Sequence, residues 1–96
     1  MQYMPQATRV LYDKTIRADG SVVEMVVWLL DAPLPPCNHN YKYRLYYGRE
    51  GVCRVRYDNE RGKGDHRHIG AIEAAYAFVD IDVLLVDFER DIHNWN

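Results

Sequence analysis

The eleven residues Asp58-Asn59-Glu60-Arg61-Gly62-Lys63-Gly64-Asp65-His66-Arg67-His68 carry nearly every side-chain type used for proton transfer and anion binding. Imidazoles titrate near neutral pH, as a general acid and base must. In an extended segment, residues two apart project the same way, separated by about 7 Å. His66 and His68 so placed would bracket a phosphodiester. One would take the proton of a 2′-hydroxyl and the other would protonate the leaving oxygen. Lys63 beside them would stabilise the charge that develops. Lys63 and Asp65 complete the candidate catalytic set with the two histidines. Arg67 is a candidate phosphate ligand, because a guanidinium can bind an anion through two parallel hydrogen bonds. Gly62 and Gly64 let the backbone bend closely around a ligand. Asp58 and Asn59 are placed as structural support where a strand ends.

The same residues support two other readings. His66, His68 and a carboxylate, Asp65 or Asp58, have the His-x-His spacing of a divalent metal site. Alternatively the segment is a polar turn whose histidines pair with nearby carboxylates. The phosphodiester chemistry itself calls for no cofactor and no metal. No phosphate loop of the G-x-x-x-x-G-K-[ST] type is present, and no G-x-S-x-G nucleophile motif. His39 and His93 read as surface histidines, and Trp95 as a helix-end core anchor.

Two predicted hairpins precede this segment. Thr8 to Arg17 and Val22 to Leu30 flank Asp19-Gly20, a strong two-residue turn signal. Pairing Ala18 with Ser21 sets Tyr12 opposite Val27. The core face would then carry Val10, Tyr12, Ile16, Val23, Met25, Val27 and Leu29, with Lys14 as its exception. Residues 31–40, DAPLPPCNHN, form a loop, since three prolines bar a central strand. Tyr41 to Tyr47 and Val52 to Tyr57 form the second hairpin. With Tyr47 opposite Gly51, Arg44 meets Arg54 and Lys42 meets Arg56. Like charges directly opposite cost something like 0.2–1 kcal/mol per pair, so this basic patch calls for an anionic partner. Lys42, Arg44, Arg54 and Arg56 are the candidate anion ligands, with Arg67, and Tyr46 is a candidate stacking residue. A short strand is expected at Ala75 to Phe78. Asp80 is placed as an N-cap. Ile81, Leu84, Leu85, Phe88, Ile92 and Trp95 then make the apolar stripe of a C-terminal helix. The predicted fold is α+β: a four- to five-stranded antiparallel sheet, made of two hairpins and at most one further strand, with the helix on one face.

The 96 residues suit one domain, over 7–96, after a flexible tail at 1–6. The longest apolar run, Met25 to Leu30, falls far short of the ~20 residues of a membrane helix. The start, MQYMPQATR, has no signal-peptide pattern. Cys37 and Cys53 make no disulfide framework and read as reduced thiols of a cytoplasmic protein. The net charge of −2 hides an asymmetry: −1 over residues 1–41, +4 over 42–67 and −5 over 71–96. One face is thus suited to an anion and another repels it. So short a chain buries a limited share of its surface, which leaves room for a partner chain, including a homodimer.

The stretch YDNERGKGDHRHIG, preceded by VVEMVVWLL and KYRLYY and followed by YAFVDIDVLLVDFERDI, resembles the TumE-like toxin family of bacterial toxin–antitoxin pairs. The resemblance spans roughly residues 8–95, and Gly62 to His68 is its specific part. Tyr57-Asp58-Asn59 and Asp87-Phe88 also match, whereas Ala71-Ile72-Glu73-Ala74-Ala75 departs from the more polar stretch of the pattern. The resemblance implies a toxin subunit with a cognate antitoxin protein as partner. Joined to the chemistry above, it points to a toxin that binds RNA and cuts it, as a ribonuclease-type hydrolase or transferase. The rivals are a non-catalytic module that offers its basic hairpin face to an acidic protein or a nucleic acid, and a metal-dependent enzyme using His66 and His68.

Overall fold

The computed structural model describes residues 6–95. The expected N-terminal tail lies, Gln6 aside, outside the described residues. Six strands follow one another in chain order and in space: β1 Ala7–Ile16, β2 Val22–Leu30, β3 Tyr41–Arg49, β4 Val52–Glu60, β5 Gly64–Ile69 and β6 Ile72–Ala75. Every neighbouring pair is antiparallel. One helix, α1 Ile81–Trp95, closes the described chain. The α+β expectation holds, with one strand more than foreseen. The polar segment after Tyr57 is the end of β4, a tight turn and β5. The last strand is Ile72–Ala75, and residues 76–80 are coil.

The first turn differs from the predicted one. Arg17 N donates to Ser21 O at 2.8 Å, and Gly20 N to Arg17 O at 2.9 Å. Gly20 has φ 87°. This is a three-residue loop with glycine at the left-handed position, not a two-residue turn. Asp19 accepts from Ser21 N at 2.8 Å and Ser21 Oγ at 2.6 Å, and these bonds hold its carboxyl below the usual range. The register moves by one, so Leu11, not Tyr12, lies opposite Val27, and a bulge falls at Val10. Side chains therefore swap faces. Tyr12 and Ile16, expected in the core, are 51% and 70% exposed, and Leu11 packs on the core instead.

The second hairpin turns on Glu50 and Gly51, with φ 53° and 77°, between paired Arg49 and Val52. Positive φ at both positions is the two-residue turn that suits twisted strands. Tyr47 then faces Val55, Tyr46 faces Arg56 and Arg44 faces Asp58. The expected Arg44–Arg54 and Lys42–Arg56 pairs do not form. Arg54 is the extra residue of a bulge between Cys53 and Val55.

The helix lies over β4. Its cap is Asp80, whose Oδ1 accepts from Val83 N at 2.8 Å. Leu84 and Phe88 complete a core with Val27, Tyr43, Leu45, Tyr47, Val55 and Tyr57, all fully buried. Ile81, Leu85 and Ile92 pack around it. Asp91, expected off the apolar stripe, is 4% exposed. Its carboxylate accepts from Arg67 Nε at 2.7 Å and Nη2 at 2.8 Å, and from the Tyr57 hydroxyl. Charge-assisted forks of this kind are strong, and each partner is needed by the other. Asp91→Ala is expected to lower stability by about 2–3 kcal/mol, because it strands a buried hydroxyl and a paired guanidinium. Glu89→Ala, on the exposed side, should cost under about 0.5 kcal/mol. Urea denaturation of both variants measures the contrast.

Candidate functional site

The turn from β4 to β5 is held by the proline loop. Gly62 N donates to Pro35 O at 2.8 Å, and Lys63 N to Glu60 O at 3.1 Å. Gly62 and Gly64 both have positive φ, 86° and 80°. A Cβ on Gly64 would also approach Pro36 Cγ to 3.3 Å. Asn59 braces the turn from beneath. It is fully buried, its Oδ1 accepts from Tyr43 N at 2.9 Å, and its Nδ2 donates to Tyr41 O at 2.7 Å.

From that turn β5 sorts its side chains by strand alternation. Asp58 lies opposite His66, and Arg56 opposite His68, which in turn faces Glu73 on β6. Arg44 and Tyr46 continue the same two rows on β3. The face away from the helix thus joins Arg44, Tyr46, Arg56, Asp58, His66 and His68. Arg56 Nη2 lies 2.9 Å from His68 Nε2. A guanidinium can only donate, so that nitrogen accepts. Arg56 Nε lies 3.3 Å from Asp58 Oδ2, an ion pair without hydrogen-bond alignment. Lys42 donates through Nζ to Asn59 O at the edge of this group.

Glu73 is the residue that sequence reasoning missed. One oxygen, Oε1, is 3.4 Å from Lys63 Nζ, 3.4 Å from His66 Nδ1 and 3.8 Å from His68 Nε2. Slight desolvation raises its carboxyl, but the Lys63 hydrogen bond and the charges of Lys63, His68 and His66 outweigh that and hold it below the usual range. The signal was Ile69-Gly70-Ala71-Ile72, a glycine turn between two isoleucines that pair across it. Lys63 Nζ and His66 Nδ1 converge on one carboxylate oxygen, with the Arg56-bonded Nε2 of His68 a little farther off, a cradle that could take an anion's oxygen. The side chain filling it is 43% exposed and sits on an edge strand. His66 Nε2 is buried with no hydrogen-bond partner.

Three expected residues stand elsewhere. Asp65 and Arg67 alternate with the histidines, so both point to the helix side. Arg67 is held by Asp91, which raises its pKa despite partial desolvation. Arg54 is turned to the helix side by the bulge, where Nη1 donates to the Tyr47 hydroxyl at 2.9 Å and the guanidinium lies 5.8 Å from the Trp95 ring centre. The arginine row expected at 44, 54 and 56 is therefore split, with 44 and 56 on the histidine face.

Asp65 belongs to a second cluster. Its Oδ1 lies 2.8 Å from His39 Nε2 and accepts from the Tyr43 hydroxyl at 2.6 Å. Burial, then the Asp65 hydrogen bond, push the Tyr43 hydroxyl far up. His39 is no surface histidine, since its ring stacks on Phe78 at 3.7 Å between centres. His93 is exposed, as expected. Ligand atoms of Cys37, His39 and Asp65 lie within 4.8 Å of one another, so these three could hold a metal ion. The His66–His68 metal set loses Asp65 to this cluster. Tyr41 N donates to His39 Nδ1 at 3.2 Å, which assigns the ring proton to Nε2, facing Asp65. The cluster is hydrogen-bonded as it stands. Burial first, and Asp65 next, push the Cys37 thiol up, so it is a poor nucleophile at neutral pH.

A family model described as Toxin TumE matches residues 3–96, nearly the whole chain. The chain belongs to the TumE toxin family. No curated protein and no solved structure matches it. Both the helix and β5, with the cradle between β5 and β6, lie within the span that the TumE model covers. No helix among the described residues is long and apolar enough to cross a membrane.

If the cradle is an anion site, Glu73→Gln should bind inorganic phosphate severalfold more tightly than the native chain, because it removes the competing charge. Phosphate titration followed by the imidazole C–H resonances of His66 and His68 checks this. Weaker binding in the variant would assign Glu73 a supporting role instead.

Proposed function

We propose that this TumE-family chain is the toxin subunit of a toxin–antitoxin pair and acts on RNA at the His66–His68 face. The observation that carries the reading is the register of β3 to β6. It brings two imidazoles and a lysine near one carboxylate oxygen, with Arg56 beside His68 and Arg44 two strands away on the same face, which supports an anion site there. Lys42, Arg44, Arg56 and Lys63 would hold the phosphate backbone, and Tyr46 would take a base.

The chemistry is an in-chain transfer that needs no co-reactant. The 2′-oxygen attacks phosphorus, the bond from phosphorus to the 5′-oxygen breaks, and the products are a 2′,3′-cyclic phosphate and a 5′-hydroxyl. His68 takes the 2′-hydroxyl proton through Nε2 once Arg56, which donates to that nitrogen in the unbound chain, turns to the phosphoryl oxygens. His66, set against the Glu73 carboxylate through Nδ1, gives a proton to the leaving oxygen. Lys63 and Arg56 meet the charge that builds on the phosphoryl oxygens. The incoming phosphate displaces Glu73 from the cradle. The partner is a cognate antitoxin protein.

A second reading, binding without chemistry, is favoured by the low exposure of the imidazoles, 14% for His66 and 18% for His68. The two readings separate cleanly. If the site is catalytic, His66→Ala and His68→Ala fold, lose toxicity on expression, and cut total RNA at least about 100-fold more slowly, while His93→Ala stays active. If both histidine variants remain fully toxic while Arg44→Glu with Arg56→Glu is harmless, inhibition is steric and the catalytic reading is wrong.

A further inference from the structure

The helix lies over β4 on one face of the sheet, and among the described residues no helix lies on the other. We propose that this open face is a track for single-stranded RNA, leading from the imidazoles of β5 across β3 and β2 to β1, with Trp28, Tyr12 and Tyr46 as base platforms. The inference rests on the RNA reading above and names the form of RNA and the residues that hold it beyond the cradle.

Rings and cations alternate along the face. The Arg9 guanidinium lies 5.0 Å from the Tyr12 ring centre and 6.0 Å from that of Trp28. Trp28 pairs across the sheet with Lys42. The Arg44 guanidinium lies 5.2 Å from the Tyr46 ring centre. The hydroxyl end of Tyr46 lies over the Gly48 backbone. A Cβ on Gly48 would fall 2.2 Å from the Tyr46 hydroxyl oxygen, so only glycine lets the ring lie there. A ring held in place beside the Arg44 guanidinium suits stacking with a base.

Charge agrees with this occupant. The carboxylates on the face are engaged: Glu24 with Arg44 at 3.9 Å, Asp58 with Arg56 at 3.3 Å, and Glu73 in the cradle. Arg9 is exposed and has no carboxylate partner among the described residues. The opposite side carries the acidic helix, with Asp82, Asp87 and Glu89, which repels a polyanion. Four strand gaps of about 4.8 Å separate β1 from β5, so the track is roughly 19 Å long. Stacking on side-chain rings requires unpaired bases, which a duplex does not offer.

The test uses the full chain and a labelled single-stranded RNA of about ten nucleotides, against the same sequence as a duplex. The native chain should bind the single strand at least about tenfold more tightly than the duplex. Trp28→Ala and Arg9→Glu should each weaken the single strand about tenfold, and Glu89→Ala should leave binding unchanged. Arg9 is exposed, so its variant keeps the fold even if Trp28→Ala does not. Equal binding of duplex and single strand overturns the track. So does unchanged binding in Trp28→Ala and Arg9→Glu while His66→Ala has lost cleavage, an outcome that leaves the proposed function standing. Absence of binding to any RNA by the native chain overturns both.

Discussion

Strand alternation in β5 governs the rest of the molecule. Six residues separate a core-facing set from a solvent-facing set with no room for error. Asp65 and Arg67 turn toward the helix, and His66 and His68 turn away from it. A slip of one residue would turn both imidazoles toward the helix and carry the guanidinium that anchors the helix to the opposite face. The register is therefore held from both sides. Arg67 is locked by two hydrogen bonds to Asp91, and Asp65 by His39 and Tyr43. These polar contacts do for β5 what apolar packing does for β3, where Tyr43, Leu45 and Tyr47 fill the core.

That arrangement explains why the helix carries a buried aspartate. Phe88 lies edge-on to Tyr57 at 6.0 Å, and one helical turn later Asp91 reaches the same tyrosine and Arg67. Apolar packing sets how closely the helix approaches β4, and the carboxylate sets its rotation. A shift of the helix along the sheet would break three hydrogen bonds at one oxygen pair. The helix thus transmits its position to β5, and through alternation to the imidazoles on the far face. No side chain of the helix touches the candidate site, yet its seating decides which face the histidines occupy.

Much of this was legible in the sequence. The helix, its Asp80 cap and its apolar stripe from Ile81 to Ile92 follow from spacing, whereas Trp95, expected as a core anchor, is 40% exposed; the α+β order follows from two hairpins and a terminal helix. What was not legible has physical causes. Asp-Gly serves a two-residue turn and a three-residue turn equally well, and the choice between them moved Tyr12 out of the core. Arg54 looked like one more cation in a row, but a bulge has no one-dimensional signature and it reversed that side chain. β5 escaped notice because its inward positions are charged. Asp65 and Arg67 are paired with partners far away in sequence, at Tyr43 and Asp91, so no local alternation of apolar and polar residues marks the strand. His39 was hidden for the same reason: its partners, Asp65 and Phe78, are brought to it only by the fold.

The open face follows from the same arrangement. The described residues form one helix, which lies over β4 and is tied to β5 through Asp91 and Arg67. β1 and β2 lie farther from the helix and join the core through Val27, with Leu11, Val23 and Met25 packed against it. An uncovered sheet face rich in apolar residues would invite aggregation. Here it is interleaved with Arg9, Lys14, Lys42, Arg44 and Arg56, whose charges separate the rings of Tyr12, Trp28 and Tyr46. The carboxylates on that face then have a definite role in the unbound chain. Each one offsets a cation that would otherwise repel its neighbours across the sheet: Glu24 beside Arg44, Asp58 beside Arg56 and Glu73 beside Lys63.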